Sequence, residues 1–195
     1  MSDTNRRTFL KRAGAGATAL AISSQPNQAR AAANEKITLG VIGCGGRGSG
    51  VAQQFAGEEN CEVAYVCDPD ERRAESLAKK LTGKRGNRRP ESVADLRTIL
   101  ADRGVDAVLI ATPDHWHAPA AILACDAGKH VYVEKPCSHN LRQGRLLVDA
   151  ARRNKRVVQH GTQSRSSGLI AGGMQMLREG IIGDVLVAKA WNIQR

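Results

Sequence analysis

The sequence predicts an α/β fold: a doubly wound parallel sheet, followed by the start of a second, α+β domain. Two observations support this prediction. From residue 37 onward, short apolar segments rich in β-branched residues alternate with amphipathic segments of helical length. A glycine-rich turn also follows the first apolar segment directly. We expect three parts, a leader at 1–33, the sheet domain at 34–160 and the start of the second domain at 161–195.

The first strand and the turn after it are the best-defined elements. Residues 37–42 read Ile-Thr-Leu-Gly-Val-Ile, which predicts a buried strand, and residues 49–55 predict a helix. Between them lies the pattern Gly43-x-Gly45-x-x-Gly48. In a nucleotide-binding turn the first glycine permits the tight turn, the second lets the backbone approach a pyrophosphate, and the third lets the helix pack closely on the strand. The unpaired N–H groups at the helix start then face the phosphates.

A carboxylate follows at the spacing that a dinucleotide fold requires. A second apolar segment, residues 63–67, ends at Asp68, twenty residues beyond Gly48. An acidic residue at this position accepts hydrogen bonds from the adenosine ribose. Asp68 would repel a 2′-phosphate, which favours NAD, whereas Arg72 and Arg73 keep NADP as an alternative. The competing interpretation is a glycine-rich turn beside an ordinary strand-end aspartate, but strand, helix and spacing together favour the dinucleotide site.

The remaining elements of the sheet domain continue the alternation. Helical periodicity marks residues 71–81 and 91–102, and any third strand in the basic loop between them must be very short. Gly128 is expected to end a further helix as its C-cap. The other predicted elements are strands at 105–111, 129–134 and 156–159 and helices at 119–127 and 141–154.

The pattern changes after residue 161. A polar loop at 163–168 precedes a predicted helix at 169–179, and residues 185–193 read as a long strand. A single long strand is a sheet edge that needs a partner. We therefore expect a second domain that has barely begun. On this interpretation the sequence is the N-terminal part of a longer protein, and its active site is incomplete.

The first 33 residues resemble a twin-arginine export signal. An arginine pair at 6–7, the tripeptide Phe-Leu-Lys at 9–11, a weakly apolar stretch at 13–22 and small-x-small cleavage sites at 29–33 occur in the order of that signal. A disordered basic tail is the alternative. The apolar stretch is too short and too glycine-rich to span a membrane stably. The resemblance predicts export to the periplasm by the twin-arginine machinery, which carries proteins already folded.

Composition narrows the function classes. The net charge is +10, but the basic clusters lack interleaved aromatic side chains, which argues against a nucleic-acid partner. The five cysteines form an odd count without zinc-ligand spacing. We therefore expect buried thiols, no disulfide framework and no metal site.

Five motifs follow one another along residues 36–195. They are Gly43-Cys44-Gly45-Gly46-Arg47-Gly48, Ala111-Thr112-Pro113-Asp114-His115-Trp116-His117, Ala127-Gly128-Lys129-His130-Val131, Glu134-Lys135-Pro136 and Gly183-Asp184-Val185. In this order and at this spacing they resemble the motifs of the Gfo/Idh/MocA family of nicotinamide-dependent sugar and polyol oxidoreductases. Together with the export signal, they resemble the branch that contains glucose–fructose oxidoreductase-like proteins.

This resemblance implies roles at the carboxyl ends of two strands. Lys135 is implied as the active-site lysine, which hydrogen-bonds the reacting hydroxyl and helps to move its proton. Glu134 orients the site, and Pro136 holds the loop in a fixed conformation, with a cis peptide bond as one option. A pocket-lining role for His117 and a surface role for His115 both rank above a metal site. We predict Lys135 and His117 as catalytic residues. The predicted cofactor-binding residues are Gly43, Cys44, Gly45, Gly46, Arg47, Gly48, Asp68, Thr112, Pro113, His115, Glu134 and Lys135.

The motifs predict a NAD(P)-dependent oxidoreductase that transfers a hydride between the nicotinamide and a sugar, polyol or related carbohydrate. The resemblance implies a further catalytic histidine in the second domain, while His160 and Arg165 lie near the junction and could reach the substrate. An alternative is a NAD-dependent glycosidase of the α-N-acetylgalactosaminidase type, whose Thr-Pro-x-x-Trp-His loop is similar, although Lys135 favours the oxidoreductase. A non-catalytic nucleotide-binding fragment is a third hypothesis. We expect a carbohydrate ligand, a homo-oligomer in the full-length protein and no stable membrane insertion.

Overall fold

The computed structural model describes residues 36–84 and 88–191, and the predicted export signal lies outside them. Within this part, strands alternate with helices. The strands are β1 (Ile37–Ile42), β2 (Cys61–Cys67), β3 (Glu91–Val93), β4 (Ala107–Ile110), β5 (His130–Glu134) and β6 (Val158–Gly161). The helices are α1 (Gly46–Phe55), α2 (Glu71–Leu81), α3 (Leu96–Ala101), α4 (His117–Asp126), α5 (Leu141–Arg153) and α6 (Gly168–Arg178), with 3₁₀ turns at Asp114–Trp116 and Gln163–Ser166.

The six strands form one sheet in the order β3-β2-β1-β4-β5-β6, and every neighbouring pair is parallel. The strand order therefore reverses between β1 and β4, which is where doubly wound sheets open a ligand crevice at their carboxyl ends. Ile42, the last residue of β1, is in register with both Cys67 of β2 and Ile110 of β4. The residues that follow these three strands consequently lie side by side. The predicted doubly wound α/β fold is confirmed.

The sheet separates two apolar layers. Because side chains alternate along a strand, Leu39 and Val41 of β1 enter one layer and Ile42 enters the other. The first layer contains Leu77 and the other buried residues of α1 and α2, and the second contains Ile99 with the buried residues of α4 and α5. A fully buried aliphatic side chain of this size stabilises the fold by about 1.5–3 kcal/mol. The two layers hold the strand ends rigidly enough to position a site.

Several predicted boundaries are wrong. The strand predicted from residue 105 begins at Ala107, and the helix predicted from residue 119 begins at His117. Residues 91–93 were expected to begin a helix, but they form β3, which pairs with β2, and α3 begins only at Leu96 after its N-cap Asp95. Helix α1 begins at Gly46, three residues before its predicted start, because Gly45 adopts the extended conformation of an N-cap. The last strand begins at Val158 instead of residue 156.

The segment after residue 161 only partly follows its prediction. Helix α6 lies at Gly168–Arg178 as expected, and all its residues are exposed. The predicted long strand at 185–193 is wrong over its described part, since residues 185–191 adopt no strand. A strand needs a neighbouring backbone to pair with, and none of the described strands pairs with this segment. Across residues 36–84 and 88–191, none of the helices has the length and apolar character needed to cross a membrane.

Candidate functional site

The glycine loop joins β1 to α1 through geometry that only glycine permits. Gly43 has a φ of +95°, in the left-handed region that L side chains rarely adopt, and a Cβ there would lie 2.6 Å from the carbonyl oxygen of Ala111. A Cβ on Gly48 would lie 1.9 Å from the carbonyl oxygen of Gly43. The predicted conformational roles of Gly43 in the turn and of Gly48 in the packing of helix on strand are therefore confirmed.

Gly45 and Gly46, in contrast, border open space. No atom would lie within 4 Å of a Cβ at either position. Gly45 is the N-cap of α1, and this end of the helix has neither a side-chain cap nor an acidic residue in its first turn. The first-turn N–H groups and the positive end of the helix dipole can therefore receive an anion. These residues fit a dinucleotide pyrophosphate, which the first turn of α1 would hold.

The carboxylate of Asp68 is buried at the end of β2 and holds the glycine loop in place. Its Oδ2 accepts a hydrogen bond from the backbone N–H of Cys44 at 2.9 Å, and its Oδ1 accepts one from that of Asp70 at 2.9 Å. Each carboxylate oxygen has a second lone-pair site. Asp68 can therefore accept ribose hydroxyls while it stays bonded to the loop, a second task that its spacing in the sequence did not reveal.

Cys44 contributes its backbone to this loop, while its thiol packs inside. The thiol donates to the carbonyl oxygen of Cys67 at 3.5 Å, and burial, with a smaller effect of the Asp68 charge, raises the pKa of Cys44 to about 12. Burial likewise raises the pKa of Cys67 to about 11. All five cysteines are free, and all except the half-buried Cys137 are buried. The buried thiols act as small apolar side chains.

A cavity of about 850 Å³ opens beside the glycine loop, and residues of both α1 and α2 line it. Two of its lining residues, Arg72 and Arg73, contact the same carboxylate, with Nε atoms 3.2 and 3.6 Å from Asp70 oxygens. The hydrogen bond from Arg72 lowers the pKa of Asp70. The two guanidinium groups that could attract a 2′-phosphate are thus already partnered. Other lining residues are Gly45, Gly46, Ser49, Gln53, Ser76 and Lys80.

The loop after β4 brings further side chains to the same edge. The N–H of Ala111 donates to the carbonyl oxygen of Ile42 at 2.8 Å, so this loop starts beside the glycine loop. The hydroxyl of Thr112 is buried and has no hydrogen-bond partner among the described residues. Pro113 then leads into a 3₁₀ turn in which the side chain of His115 is exposed. An unpaired hydroxyl therefore lies at the start of this loop.

His117 is buried, with only 1% of its surface exposed, at the first position of α4. Its Nδ1 lies 2.6 Å from the carbonyl oxygen of Pro136, and its Nε2 lies 2.8 Å from that of Thr112. Both ring nitrogens are occupied by backbone atoms, so neither is free to exchange a proton with a substrate. This geometry argues against the predicted catalytic role of His117 and gives it the contacts of a positioning residue.

Glu134, the last residue of β5, links two loops of the site. Its Oε1 lies 2.7 Å from Nη2 of Arg47 in the glycine loop, and the Glu134 side chain is only 4% exposed. Its Oε2 accepts a hydrogen bond from the backbone N–H of Lys135 at 3.4 Å. The hydrogen bond to Glu134 raises the pKa of Arg47, which keeps the guanidinium charged. An ion pair between a buried carboxylate and a half-exposed guanidinium therefore ties the loop of the predicted pyrophosphate site to the loop of the predicted catalytic lysine.

Two residues beside this ion pair were missed by the sequence reasoning. Tyr132 stacks edge-on against Phe55 with ring centroids 5.5 Å apart, and burial raises its pKa. A Cβ on Gly161 would lie 2.8 Å from the hydroxyl of Tyr132 and 3.0 Å from Oε1 of Glu134. Strand periodicity could have placed Tyr132 on the same face as Glu134, since they are two residues apart. No sequence signal marks Gly161.

Lys135 is exposed at this edge of the sheet, and its peptide bond to Pro136 is cis. His160 lies on β6, where its Nε2 is buried without a hydrogen-bond partner in the part of the chain that the structure describes. Arg165 is exposed in the second 3₁₀ turn. The described ranges contain no cluster of three or more His, Cys, Asp or Glu side chains that could hold a metal ion.

The sheet order, the open helix start and the buried carboxylate after β2 together define a dinucleotide-binding domain of the Rossmann type. The family described as an oxidoreductase family with the NAD-binding Rossmann fold, Gfo/Idh/MocA, matches residues 37–162. The chain belongs to this family, whose solved relatives hold NAD or NADP. The predicted family is confirmed.

Three of the proteins similar to this chain illustrate the activities and cofactors of its relatives. The α-N-acetylgalactosaminidase of Shewanella oneidensis is 28% identical over 97% of this chain and 46% of its own length. KijD10, a 3-ketoreductase from Actinomadura kijaniata solved with NADP, is 26% identical with a TM-score of 0.69, covering 77% of this chain and 46% of that one. The WlbA dehydrogenase from Bordetella pertussis, solved with NADH and UDP-GlcNAcA, is 25% identical with a TM-score of 0.66, covering 75% and 43%. The chain spans a little under half the length of the curated relatives it matches.

Proposed function

We propose that the protein is a NAD(P)-dependent oxidoreductase that transfers a hydride between a nicotinamide and a sugar, polyol or related carbohydrate. The observation that carries this proposal is the ion pair between Arg47 and Glu134, which joins the glycine loop to the loop of Lys135. It brings an anion-binding helix start and an exposed ammonium to one edge of the sheet. The carbohydrate is supported by WlbA, a dehydrogenase solved with UDP-GlcNAcA.

Each part of this edge has a task in that reaction. The bound nicotinamide supplies the hydride acceptor or donor. The first turn of α1 holds the pyrophosphate, and the Asp68 carboxylate accepts the ribose hydroxyls. Lys135 hydrogen-bonds the reacting hydroxyl and takes up or returns its proton, since an ammonium stabilises a developing alkoxide. Glu134 and His117 hold the loop that carries this lysine.

The preferred cofactor of the proposed enzyme is NAD. The buried carboxylate of Asp68 would lie against the 2′-phosphate of NADP, and like charges at close range repel. Arg72 and Arg73 are the cations that could offset this repulsion, but both are paired with Asp70. NADP remains the alternative, because KijD10 was solved with it.

Titration of NADH and NADPH into the 195-residue chain tests the cofactor. Trp116 is 47% exposed in the turn after the Thr112-Pro113 loop, so bound cofactor should quench its fluorescence. We expect NADH to bind at least about tenfold more tightly than NADPH, a difference of about 1.4 kcal/mol. Arg97→Gln is a matched control for Arg72→Gln, since Arg97 also pairs with an N-cap aspartate but does not line the cavity.

Two outcomes contradict this part of the proposal. A preference for NADPH that Arg72→Gln abolishes and Arg97→Gln leaves intact would refute the assignment of NAD. No binding of either cofactor by a folded chain would refute the claim that this chain alone forms the cofactor site.

A second candidate is a NAD-dependent glycoside hydrolase of the α-N-acetylgalactosaminidase type. The similarity to the Shewanella oneidensis enzyme supports it. Such an enzyme uses hydride transfer only transiently and returns the cofactor to its starting form. In the full-length protein, accumulation of NADH with a free sugar would support the dehydrogenase. Release of the leaving group from an N-acetylgalactosaminide without net NADH would support the hydrolase.

The proposed protein is exported to the periplasm by the twin-arginine pathway and forms a homo-oligomer at full length. The arginine pair at 6–7 and the residues after it support the export. Replacing Arg6 and Arg7 by lysine should keep the protein in the cytoplasm, as cell fractionation would show. Unchanged periplasmic recovery would refute the pathway, and a monomeric mass by light scattering would refute the oligomer.

A further inference from the structure

The two ring contacts of His117 set a requirement that a neutral imidazole does not meet. The contacts, at 2.6 Å to Pro136 and 2.8 Å to Thr112, are both of hydrogen-bond length, and both partners are backbone carbonyl oxygens. A carbonyl oxygen only accepts, and a neutral imidazole carries a single N–H. One of the two contacts would then bring the lone pair of the unprotonated ring nitrogen against a lone pair of the carbonyl oxygen. The imidazolium, which donates from both nitrogens, satisfies both contacts.

We infer that His117 is held doubly protonated and that, by donating to both carbonyls, it fastens the loop after β4 to the loop after β5. The first loop begins with Thr112 and Pro113, and the second carries Lys135 and Pro136. The ring is 1% exposed, so bulk water cannot replace either carbonyl oxygen. His117 is therefore a positioning residue for the proposed active site, acting through the backbone of both loops.

The surroundings of the ring supply no counter-ion. Helix α4 contacts the preceding 3₁₀ turn, β4, β5 and α5. The titratable and charged side chains on α4, these elements and the adjoining loop are Asp114, His115, Cys125, Asp126, His130, Tyr132, Glu134, Lys135, Cys137, His139, Arg142, Arg145, Asp149, Arg152 and Arg153. Within the described residues none of them forms an ion pair with His117, and Glu134 is engaged by Arg47. The positive charge depends on the two carbonyl dipoles, so loss of either contact should release the second proton.

An ordinary histidine gives up its second proton at about pH 6.5. A ring that still carries both protons above that pH is therefore the signature of the two donated hydrogen bonds.

Long-range ¹H–¹⁵N NMR spectra of the labelled 195-residue chain test the protonation state without any cofactor. At about pH 7.5, a full unit above the ordinary value, we expect bonded protons on both ring nitrogens of His117. The signals are assigned through bonds to the residue's own backbone amide, so the assignment requires no variant. A bare nitrogen on the His117 ring at this pH would overturn the inference.

Measurement of NADH affinity tests the positioning role, and this second experiment rests on the proposed function. His117→Gln has only one donor group, and we expect it to weaken NADH binding about tenfold. His139→Gln, an exposed histidine in the loop after β5, is the matched control and should leave the affinity unchanged. A purely structural role would lower the melting temperature of His117→Gln equally at all pH values. The positioning role instead predicts that wild-type affinity falls as the ring titrates and that the affinity of the variant does not.

The outcomes separate the two hypotheses. If the NMR spectra show two N–H groups but the chain binds no NADH, the proposed cofactor function fails and the doubly protonated ring stands. If His117→Gln does not fold, the wild-type pH profile decides, and a constant NADH affinity through the titration of the ring would refute the positioning role.

Discussion

In the glycine loop, the packing of the fold requires Gly48, and the proposed ligand requires Gly45. Alanine substitutions at the two positions can distinguish these two roles. A Cβ on Gly48 would lie 1.9 Å from the carbonyl oxygen of Gly43 and 3.2 Å from the Cβ of Ala111. The first contact is to backbone, so α1 must move away from β1 to relieve it. Overpacking of this kind costs about 1–3 kcal/mol. We expect Gly48→Ala to lower the free energy of unfolding by about 3 kcal/mol, the upper end of this range. That loss lowers Tm by roughly 6–12 °C for a chain of this size.

Gly45→Ala is the matched substitution three residues earlier. No atom would lie within 4 Å of its Cβ, and its φ of −65° suits alanine. Alanine is a weaker N-cap than glycine, so we expect the stability of this variant to stay within about 1 kcal/mol of the wild type. The methyl group would enter the space proposed for the pyrophosphate, where one charge-assisted hydrogen bond is worth about 1.5–3 kcal/mol. The Kd for NADH should then rise about 10–100-fold.

Calorimetric melting of both variants and NADH titration of Gly45→Ala test this division of roles. Equal destabilisation by the two substitutions would refute the interpretation of the glycine geometry. A wild-type Kd in a folded Gly45→Ala chain would refute the placement of the pyrophosphate at the start of α1.

Two further predictions concern ionisable groups. A thiol reagent at neutral pH should label Cys137 in the folded chain and label Cys44 only after unfolding, because burial raises the pKa of Cys44 to about 12. Peptide mass spectrometry would identify the labelled residues. Labelling of Cys44 in the folded chain would contradict the prediction. Acid should destabilise the chain, because hydrogen bonds from Arg153 and Asn154 lower the pKa of Asp126 below its ordinary value of 3.8. The ionised carboxylate stabilises the fold above that ordinary value, and the contribution is lost as the pH falls through the lowered folded pKa. Urea unfolding at a series of acid pH values should show a smaller dependence in Asp126→Asn, and an unchanged dependence would contradict the assignment.

Helix α2 and strand β3 show where sequence reasoning about the fold succeeds and fails. The predicted bounds of α2, 71–81, match the structure because Asp70 caps its start and the apolar residues repeat along one face. Strand β3 has only three residues, too few for an alternating pattern to be distinguished from the helix that follows. Residues 91–93 are a strand because residues 65–67 of β2 offer a backbone edge. That edge belongs to the tertiary structure, so the local sequence does not contain the signal.

The same distinction holds at the site. Spacing along the chain predicted the glycine loop and Asp68, because each follows directly from a strand end, and Lys135 was predicted from the family resemblance. It did not find the partner of Glu134, since Arg47 comes from a distant part of the sequence and reaches it only through the strand order of the sheet. The contacts of His117 could not be predicted from the sequence either, because its partners are backbone carbonyls, which every residue possesses.

The ion pair between Arg47 and Glu134 is better explained by orientation than by stability. Burying a carboxylate carries a desolvation cost that largely offsets its attraction to a cation, and an apolar pair of similar volume is often as stable. Here the charged pair spans the ends of α1 and β5, across the point where the strand order reverses. Its geometry determines where the Arg47 side chain projects, and it holds Oε2 of Glu134 against the N–H of Lys135. An apolar pair would pack equally well but would not orient either loop. The charged residues are therefore those expected if the proposed pyrophosphate site and the proposed catalytic ammonium must be positioned relative to each other.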